Sequence, residues 1–575
     1  MNLLKKEHLE NFVSVNFFNC VSEKLSFSLS PYLIIILLFI GLYSCDQISS
    51  QSKKKFNRAS ENAKKANRGF KRCNKYLYDW LEYADSSTGL IPRDLYDSQD
   101  IWNIKDAAAD HYPFMVLTAS ITDKKLYNGE LSEILKTEAE LTSRLGNLPD
   151  TYSFQKNGFE YEEIDTTRII FGASEYIKDG LLPLTEWLGA SPWSNRMLEM
   201  MDDIWNYASV QTEYGKIPTT NIEIHGEMLQ ALPRLYHMTG KNKYLDWAKR
   251  LSNYYLLGKG YPSFYKENIR LRDHGCEIIS GLCEIYCSLS FTDPELKNRY
   301  KKPLYKLLDR ILEVGRNKHG MFYNVVNLKS EEIVDKKLAD TWGYTLNGYY
   351  TLYLIDKTEK YRKPVTKALK NLNNYKNYDW EFGSADGYAD AIESALNLYN
   401  RVPLSSAQKW IDSQTEIMWS YQDSSHSRRR NAKIWKDSGI IEGWYGDGNF
   451  ARTTIMYSLW KTKGLTIDPW KSSVLYGAVS DKNKLYVSIK SGKKWEGELV
   501  FDKMRYKVNM NLPLDYPRIN QFPEWFSIGK TKKYKVTNIT NNTTNVYKGK
   551  ELLKGLDLKL DKNRWYYIKV KELKK

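Results

Sequence analysis

From about residue 60 to residue 465 the chain repeats one pattern, with apolar residues three and four positions apart, broken by short turns rich in Gly, Pro or Asn. The clearest segments are Ile222–Met238, Tyr244–Leu257, His274–Ser290, Leu304–Val314, Thr341–Leu354, Tyr361–Leu372, Tyr388–Tyr399, Ser406–Tyr421 and Asn449–Lys461. Each reads as a helix with one apolar stripe, which is stable only when a neighbour covers that stripe. Short connections force consecutive helices to run antiparallel, so a long series either stacks as a solenoid or closes as a toroid. No fixed repeat length of the solenoid kind is present. Polar residues recur instead at the start of every second helix, as they would if alternate helices formed an inner ring with one polar mouth.

At about Pro469 the texture changes to period-two alternation, as in Lys484–Lys490, Glu496–Phe501 and Trp565–Val570. This predicts a terminal antiparallel β-sandwich. A small hairpin is expected around Thr151–Glu162. The expected order is a helical catalytic domain over residues 61–467 and a β-domain over 468–575, since 575 residues exceed what one core commonly supports.

The N-terminus carries Lys5, Lys6 and Lys24 and then an apolar run from Pro31 to Ser44 that is too short to span a bilayer comfortably. This is the form of a secretory signal. Leu42-Tyr-Ser-Cys45 resembles a bacterial lipobox, so residues 1–44 are expected to be removed and Cys45 acylated, with 45–60 a polar tether. An ordinary signal peptide cut elsewhere is the alternative. The expected location is a bacterial membrane surface, on the periplasmic side or the outer face of the cell.

The remaining cysteines show no CxxC or Cys/His zinc spacing; Cys276, Cys283 and Cys287 share a helix face and read as core. The formal charge of +16 points to an anionic partner. An exported lipoprotein would meet acidic polysaccharide or lipid headgroups before nucleic acid. Seventeen Trp and 43 Tyr suit sugar-ring platforms, although most must fill the helical core. Ser424–Arg430 reads as a basic solvated loop.

Six polar clusters carry the chemistry: Asp106 with Asp110, His111 and Tyr112; Glu223, His225 and Glu227; Arg272, Asp273, His274 and Glu277; Asp340, Trp342 and Tyr344; Asp386, Tyr388, Asp390 and Glu393; and Glu442, Trp444, Tyr445, Asp447 and Arg452. Any one acid could simply complement a helix dipole. Capping does not, however, require His, Trp or Tyr beside the acid each time. With these clusters at one mouth, the chain resembles the (α/α)6-toroid carbohydrate-active enzymes of bacterial polysaccharide-utilisation systems. The likeness is to the unsaturated glucuronyl hydrolase type and to toroidal polysaccharide lyases with a trailing β-sandwich. It implies a mainly α fold and a uronate-containing, possibly sulfated glycan as substrate.

Two chemistries fit this scaffold. Hydrolysis needs one carboxylic acid and one carboxylate. Asp110 and Asp273, each followed by His, form the first pair, with Glu227 and Asp390 in reserve. β-Elimination or uronate dehydration needs a base such as His111, His225, His274 or Tyr344, and a cation such as Arg272, Arg452 or Arg168 to hold the uronate. Carboxylate abundance favours hydrolysis. His225, Arg272, Trp342, Tyr344, Tyr388, Trp444, Tyr445 and Arg452 are the expected substrate contacts. A third reading is a non-catalytic glycan-binding lipoprotein. No metal or cofactor is expected, although His225, Glu227, Asp273 and His274 are ligand types. Leu512–Phe526, rich in Pro and aromatics, is either an interdomain loop packed on the toroid or a contributor to the cleft.

Overall fold

The computed structural model describes residues 50–258, 268–424 and 438–574. Cys45, the signal segment and residues 425–430 of the basic loop lie outside them. Lys54–Lys575 forms one compact unit; of the other, Met1–Lys53, only Ser50–Lys53 is described. No helix of the described residues is long and apolar enough to cross a membrane.

Among the described residues, fourteen helices alternate between two layers. The outer layer is α1 (Ser50–Leu81), α3 (Glu130–Thr142), α5 (Pro192–Asn206), α7 (Asn242–Leu256), α9 (Pro294–Val314), α11 (Glu359–Asn371) and α13 (Ser405–Ser424). The inner layer begins with α2 (Tyr112–Thr122), entered through a π-helical turn at Ile104–His111. Next comes α4 (Thr166–Glu175), which continues through a second π-helical turn, Tyr176–Leu181, into Leu182–Leu188. The others are α6 (Ile222–Thr239), α8 (Glu277–Thr292), α10 (Trp342–Asp356), α12 (Ala385–Arg401) and α14 (Gly446–Thr462).

Each inner helix packs on the next, and α14 packs back on α2, so the ring closes. The outer layer closes as well: the Trp205 and Trp247 rings stack at 4.7 Å between α5 and α7, and Arg68 of α1 meets Glu416 of α13 at 2.9 Å. The ring among the described residues therefore has seven inner helices, where six polar clusters had led to the expectation of six. The additional member is α4. Its polar residues, Glu175, Lys178 and Asp179, fall well inside the helix at the π turn rather than at its first turn. A search for acids at helix starts passes over it.

The inner helices are buried nearly all round; α14, for example, is buried along its whole length. They approach closely enough that a Cβ at Gly226 of α6 would lie 2.5 Å from the backbone N of Ile278 in α8. Closure of such a ring leaves an axial hole. Leu512–Phe526 fills it from the end opposite the polar mouth. Arg518, fully buried, forms a bidentate pair with Glu186 at the end of α4, at 2.6 and 3.2 Å. Tyr516 donates to Glu284 of α8 at 2.9 Å, and Asp515 pairs with Arg401 of α12. Asn520 sits at φ +58°, a conformation its short polar side chain tolerates. Its backbone N–H donates to Glu393 at 2.6 Å and its side chain to Asp179 at 2.8 Å. The segment is thus the floor of the barrel rather than a surface loop.

The C-terminal region holds eight main strands: β1 (Thr466–Asp468), β2 (Val474–Asp481), β3 (Lys484–Ser491), β4 (Trp495–Val500), β5 (Lys533–Asn538), β6 (Thr543–Lys548), β7 (Leu556–Leu560) and β8 (Trp565–Leu573). They form two antiparallel sheets, in the orders β2-β3-β8-β5-β6 and β1-β4-β7. Residues 50–60, expected within the tether, are instead the first turns of α1, which packs on the larger sheet. Phe56 is buried there against Tyr486 and Tyr567, and a Cβ at Gly477 would lie 2.2 Å from Ala63 N. The Thr151–Glu162 excursion is a hairpin, pairing Tyr152–Ser153 with Gly158–Phe159.

Removing Arg518 would leave the Glu186 carboxylate buried without its counter-charge. Arg518→Ala is expected to lower unfolding free energy by about 3–5 kcal/mol, read from the shift of the urea midpoint.

Candidate active site

The N-terminal portions of the inner helices converge on one cavity of ≈ 340 Å³. The π turns before α2 and within α4 supply Asp106, Asp110, Glu175 and Asp179. Glu223 comes from α6, Asp273 and Glu277 from the start of α8, Glu381 from the turn before α12, and Asp386 and Asp390 from α12. These ten carboxyl groups face Lys105, Arg270, His274 and Arg452. The basic excess of the whole chain therefore lies elsewhere, and the cavity itself is acidic.

Three of the four cations of the lining are closely paired, and Lys105 is held more loosely. Arg452, 3% exposed, reaches Asp390 at 2.5 Å, Glu393 at 3.2 Å and Asn449 at 2.9 Å. Tyr344 Oη lies 2.9 Å from both Asp390 Oδ1 and Glu393 Oε2. Arg270 bridges Glu223, at 3.1 Å, and Asp273. Lys105 lies 3.8 Å from Glu175 and over the Phe171 ring. Behind the lining, buried Lys178 joins Asp179 to Glu277.

His274 is the hub on the α8 side. Its Nε2 is 3.0 Å from Glu175, and its Nδ1 is 3.4 Å from both Glu227 and Glu277. Burial opposes its charge, but Asp273 and Glu175 overcome that opposition and hold its pKa well above the ordinary histidine value. It stands there as an imidazolium. Glu227 is fully buried behind the cavity, where Ser174 donates to it; burial and Glu277 raise its pKa well above the usual carboxylate range. One ligand atom from each of Glu175, Glu227 and His274, or of Asp179, His274 and Glu277, falls within 4.8 Å of the others. These groups could surround a cation, but protonated His274 and Lys178 already supply positive charge there.

Asp110 and Asp273 differ sharply in environment. Burial, followed by the charges of Asp179, Glu175 and Asp106, pushes the Asp110 carboxyl well above its ordinary pKa. Its backbone is fixed by α14, since a Cβ at Gly448 would collide with the Asp110 carbonyl at 1.9 Å. Asp273 is held below its ordinary value: His274, Arg270 and Arg272 outweigh the upward push of burial. It adopts φ +52°, a left-handed conformation costly for a residue with a Cβ. Two carboxyl groups of one cavity, pushed in opposite directions, are the pattern of an acid and its ionised partner.

Several expected site residues lie elsewhere. His111 is fully buried, with Nδ1 3.1 Å from the Tyr76 hydroxyl, and burial lowers its pKa to about 3. His225 is also fully buried, between the Tyr255 hydroxyl at 2.7 Å and the Thr219 carbonyl at 3.0 Å. Neither reaches the cavity. Trp342 is core, and Tyr388, 4% exposed, packs edge-on against Tyr421. Trp444 sits beneath Arg93 and beside Tyr445, and only Tyr445 lines the cavity. Arg272 pairs with Glu381 at 2.7 Å and faces a neighbouring pocket. Arg168 pairs with Asp150 outside the site. Asp447 accepts from the Trp80 indole and three backbone N–H groups, a structural role. Of the expected residues, Asp110, Asp273, His274, Tyr344, Asp390, Tyr445 and Arg452 come together. Glu175, Asp179, Glu381, Lys105 and Arg270 were not anticipated; for the first two the available signal was the Glu-x-x-Lys-Asp run inside an otherwise apolar helix.

Because Asp110 binds its proton more tightly when folded, its contribution to stability is full at low pH and is lost as pH rises through its raised pKa. Asp110→Asn removes that loss. At pH 8 the variant should be more stable than wild type by about 1 kcal/mol, with the difference shrinking at pH 4, as measured by chemical denaturation at both pH values.

No family model matches the chain, and no curated protein matches it. Among solved structures, an inactive variant of the GH76A α-1,6-mannanase of Salegentibacter sp. HEL1_6 aligns at 9% identity and a TM-score of 0.36, covering 67% of this chain and 98% of that one. Cellobiose 2-epimerase from Spirochaeta thermophila DSM 6192 aligns at 11% identity and a TM-score of 0.40, covering 72% and 98%. A protein described as a possible GH105 member from Salmonella enterica aligns at 11% identity and 0.35, covering 50% and 82%. Likenesses this low identify neither a family nor an activity, and the functional reading rests on the geometry of the cavity.

Proposed function

We propose that the protein is a glycoside hydrolase in which Asp110 protonates the departing glycosidic oxygen and Asp273 is the ionised partner that activates water or attacks the anomeric carbon. The observation that carries this reading is the opposite displacement of the two carboxyl groups within one cavity. Arg452, Tyr344 and Asp390 form a fixed hydrogen-bonding wall suited to sugar hydroxyls. The His274 imidazolium keeps Asp273 ionised and restrains Glu175.

The β-elimination alternative is less well supported: of its candidate bases only His274 and Tyr344 line the cavity, and Tyr344 is hydrogen-bonded to Asp390 and Glu393. His111 and His225 are sealed in the core, and His274 carries its proton already. Arg452, Arg272 and Arg168 are each engaged by a carboxylate of the protein. The same pairing bears on the substrate. A uronate carboxylate would enter a cavity with ten carboxyl groups, where His274, Arg270 and Arg452 are closely paired and Lys105, 3.8 Å from Glu175, is the one loosely held cation of the lining. The sugar bound at the point of cleavage is therefore read as neutral, in place of the uronate suggested by overall charge. A purely glycan-binding role does not account for the convergence of acids on one cavity.

Hydrolysis of neutral manno-, gluco- and galacto-oligosaccharides, followed by reducing-sugar release beside matched uronate oligosaccharides, tests this reading. Neutral substrates should be cleaved, with a plateau bounded below by protonation of Asp273, under the ordinary carboxylate range, and above by ionisation of Asp110. Asp110→Asn should lose about 10²–10⁴-fold in kcat together with the alkaline limb. A rise in enol-ether absorbance on uronates would establish elimination instead. Export and acylation at Cys45 complete the proposal. Incorporation of a fatty-acid analogue into the expressed protein, abolished by Cys45→Ser, is the outcome expected.

A further inference from the structure

Beside the catalytic cavity lies a second pocket of ≈ 380 Å³, and Glu381 lines both. The turn that carries Glu381 is strained. Glu381, Phe382 and Gly383 have φ of +43°, +59° and +78°, three successive left-handed residues of which two bear side chains. Such a conformation persists only when its surroundings hold it, and it concentrates where a ligand is bound. Arg272 donates to Glu381 at 2.7 Å, Ser384 donates to it at 2.6 Å, and the preceding Trp380 is fully buried.

The outcome of that strain is the placement of Phe382 at the pocket wall, 67% exposed. Its neighbour there is the flexible Lys337, whose ammonium lies 3.9 Å from the ring centroid. An aromatic ring left in water gives the fold no burial in return for the strained backbone. The same lining carries polar atoms without partners. Asn324 is 4% exposed; its amide N–H donates to Asp335 at 3.0 Å, and its Oδ1 has no hydrogen bond. Arg272 Nε likewise has none. Asp340, also in the wall, is pushed up to about 8 by burial, then by Glu381 and Asp390, so at neutral pH it can donate. An exposed aromatic ring together with an unpartnered acceptor and two donors in one pocket lining suits a pyranose, which offers a C–H face for the ring and hydroxyl groups for the polar atoms.

We infer that this pocket is a second sugar subsite, in which Phe382 stacks against the ring adjoining the scissile bond while Asn324 Oδ1 and Arg272 Nε hydrogen-bond its hydroxyl groups. The assignment rests on the hydrolase reading, and it makes the strained turn a determinant of preference for longer chains.

The test uses manno-, gluco- and galacto-oligosaccharides of two and four units, with binding to the full chain carrying Asp110→Asn measured by calorimetry and turnover measured on the otherwise wild-type chain. Phe382→Ala should weaken tetrasaccharide binding about fivefold more than disaccharide binding, as expected for loss of one aromatic stack, and Phe382→Trp should retain it. Asn324→Ala should show the same chain-length dependence. Cleavage with tetrasaccharide affinity indifferent to residue 382 would overturn the subsite alone. Residue-382-dependent binding without cleavage would overturn the hydrolase reading alone. Absence of binding in every series would overturn both.

Discussion

A closed ring of seven helices encloses a hole, and the rest of this structure depends on how that hole is filled. Apolar side chains fill most of the space between the inner and outer layers, but the axis is occupied by charge. Arg518 with Glu186 and Asp515 forms the floor, Lys178 with Asp179 and Glu277 the middle, and Arg452 with Asp390 and Glu393 the wall of the mouth. Buried ions are stable only when paired and hydrogen-bonded. These pairs tie together segments that are far apart in the chain, and breaking one partner would leave the other buried without its counter-charge. The plug joins the C-terminal region to this arrangement, since Asn520 contacts Asp179 and Glu393, whose neighbours line the cavity.

The acidity of the mouth follows from the same geometry. Helix N-termini favour carboxylates individually, and a toroid brings several of them together. Crowded carboxylates cannot all remain ionised at ordinary pH. The structure resolves the conflict unevenly: His274, Arg270 and Arg272 hold the Asp273 carboxyl below its ordinary pKa, while burial and the acids around Asp110 push its carboxyl well above. The opposite shifts belong to the arrangement of neighbours, because the two residues are chemically identical. Backbone strain collects in the same region, at Asp273, Glu381 and Phe382, where the surrounding pairs are strong enough to hold it.

Much of this architecture is legible in the order of residues. The helical series, the change to strands near Pro469, the hairpin at Tyr152–Phe159 and the placement of polar clusters before alternate helices all follow from periodicity, which records which face of an element is buried. Asp110, Asp273, His274, Tyr344, Asp390, Tyr445 and Arg452 could be named because helix starts on one layer must share one end of a ring. His111, His225 and Trp342 could not be excluded, since a residue one position from a cavity lining and one within it carry the same local pattern. Glu175 and Asp179 were hidden because a π turn shifts their register, so they enter the ring far from their helix start.

The sequence by itself therefore determined the layers, the polar mouth and the pool of candidate acids, because these depend on local propensity and on which residues avoid water. Only the tertiary structure decided that the ring among the described residues has seven members, that Leu512–Phe526 is its floor, and that the Asp110 and Asp273 carboxyl groups are pushed in opposite directions. Those outcomes depend on distances between segments far apart in the chain. Charge, burial and strain act through space, and no periodicity along the chain encodes them.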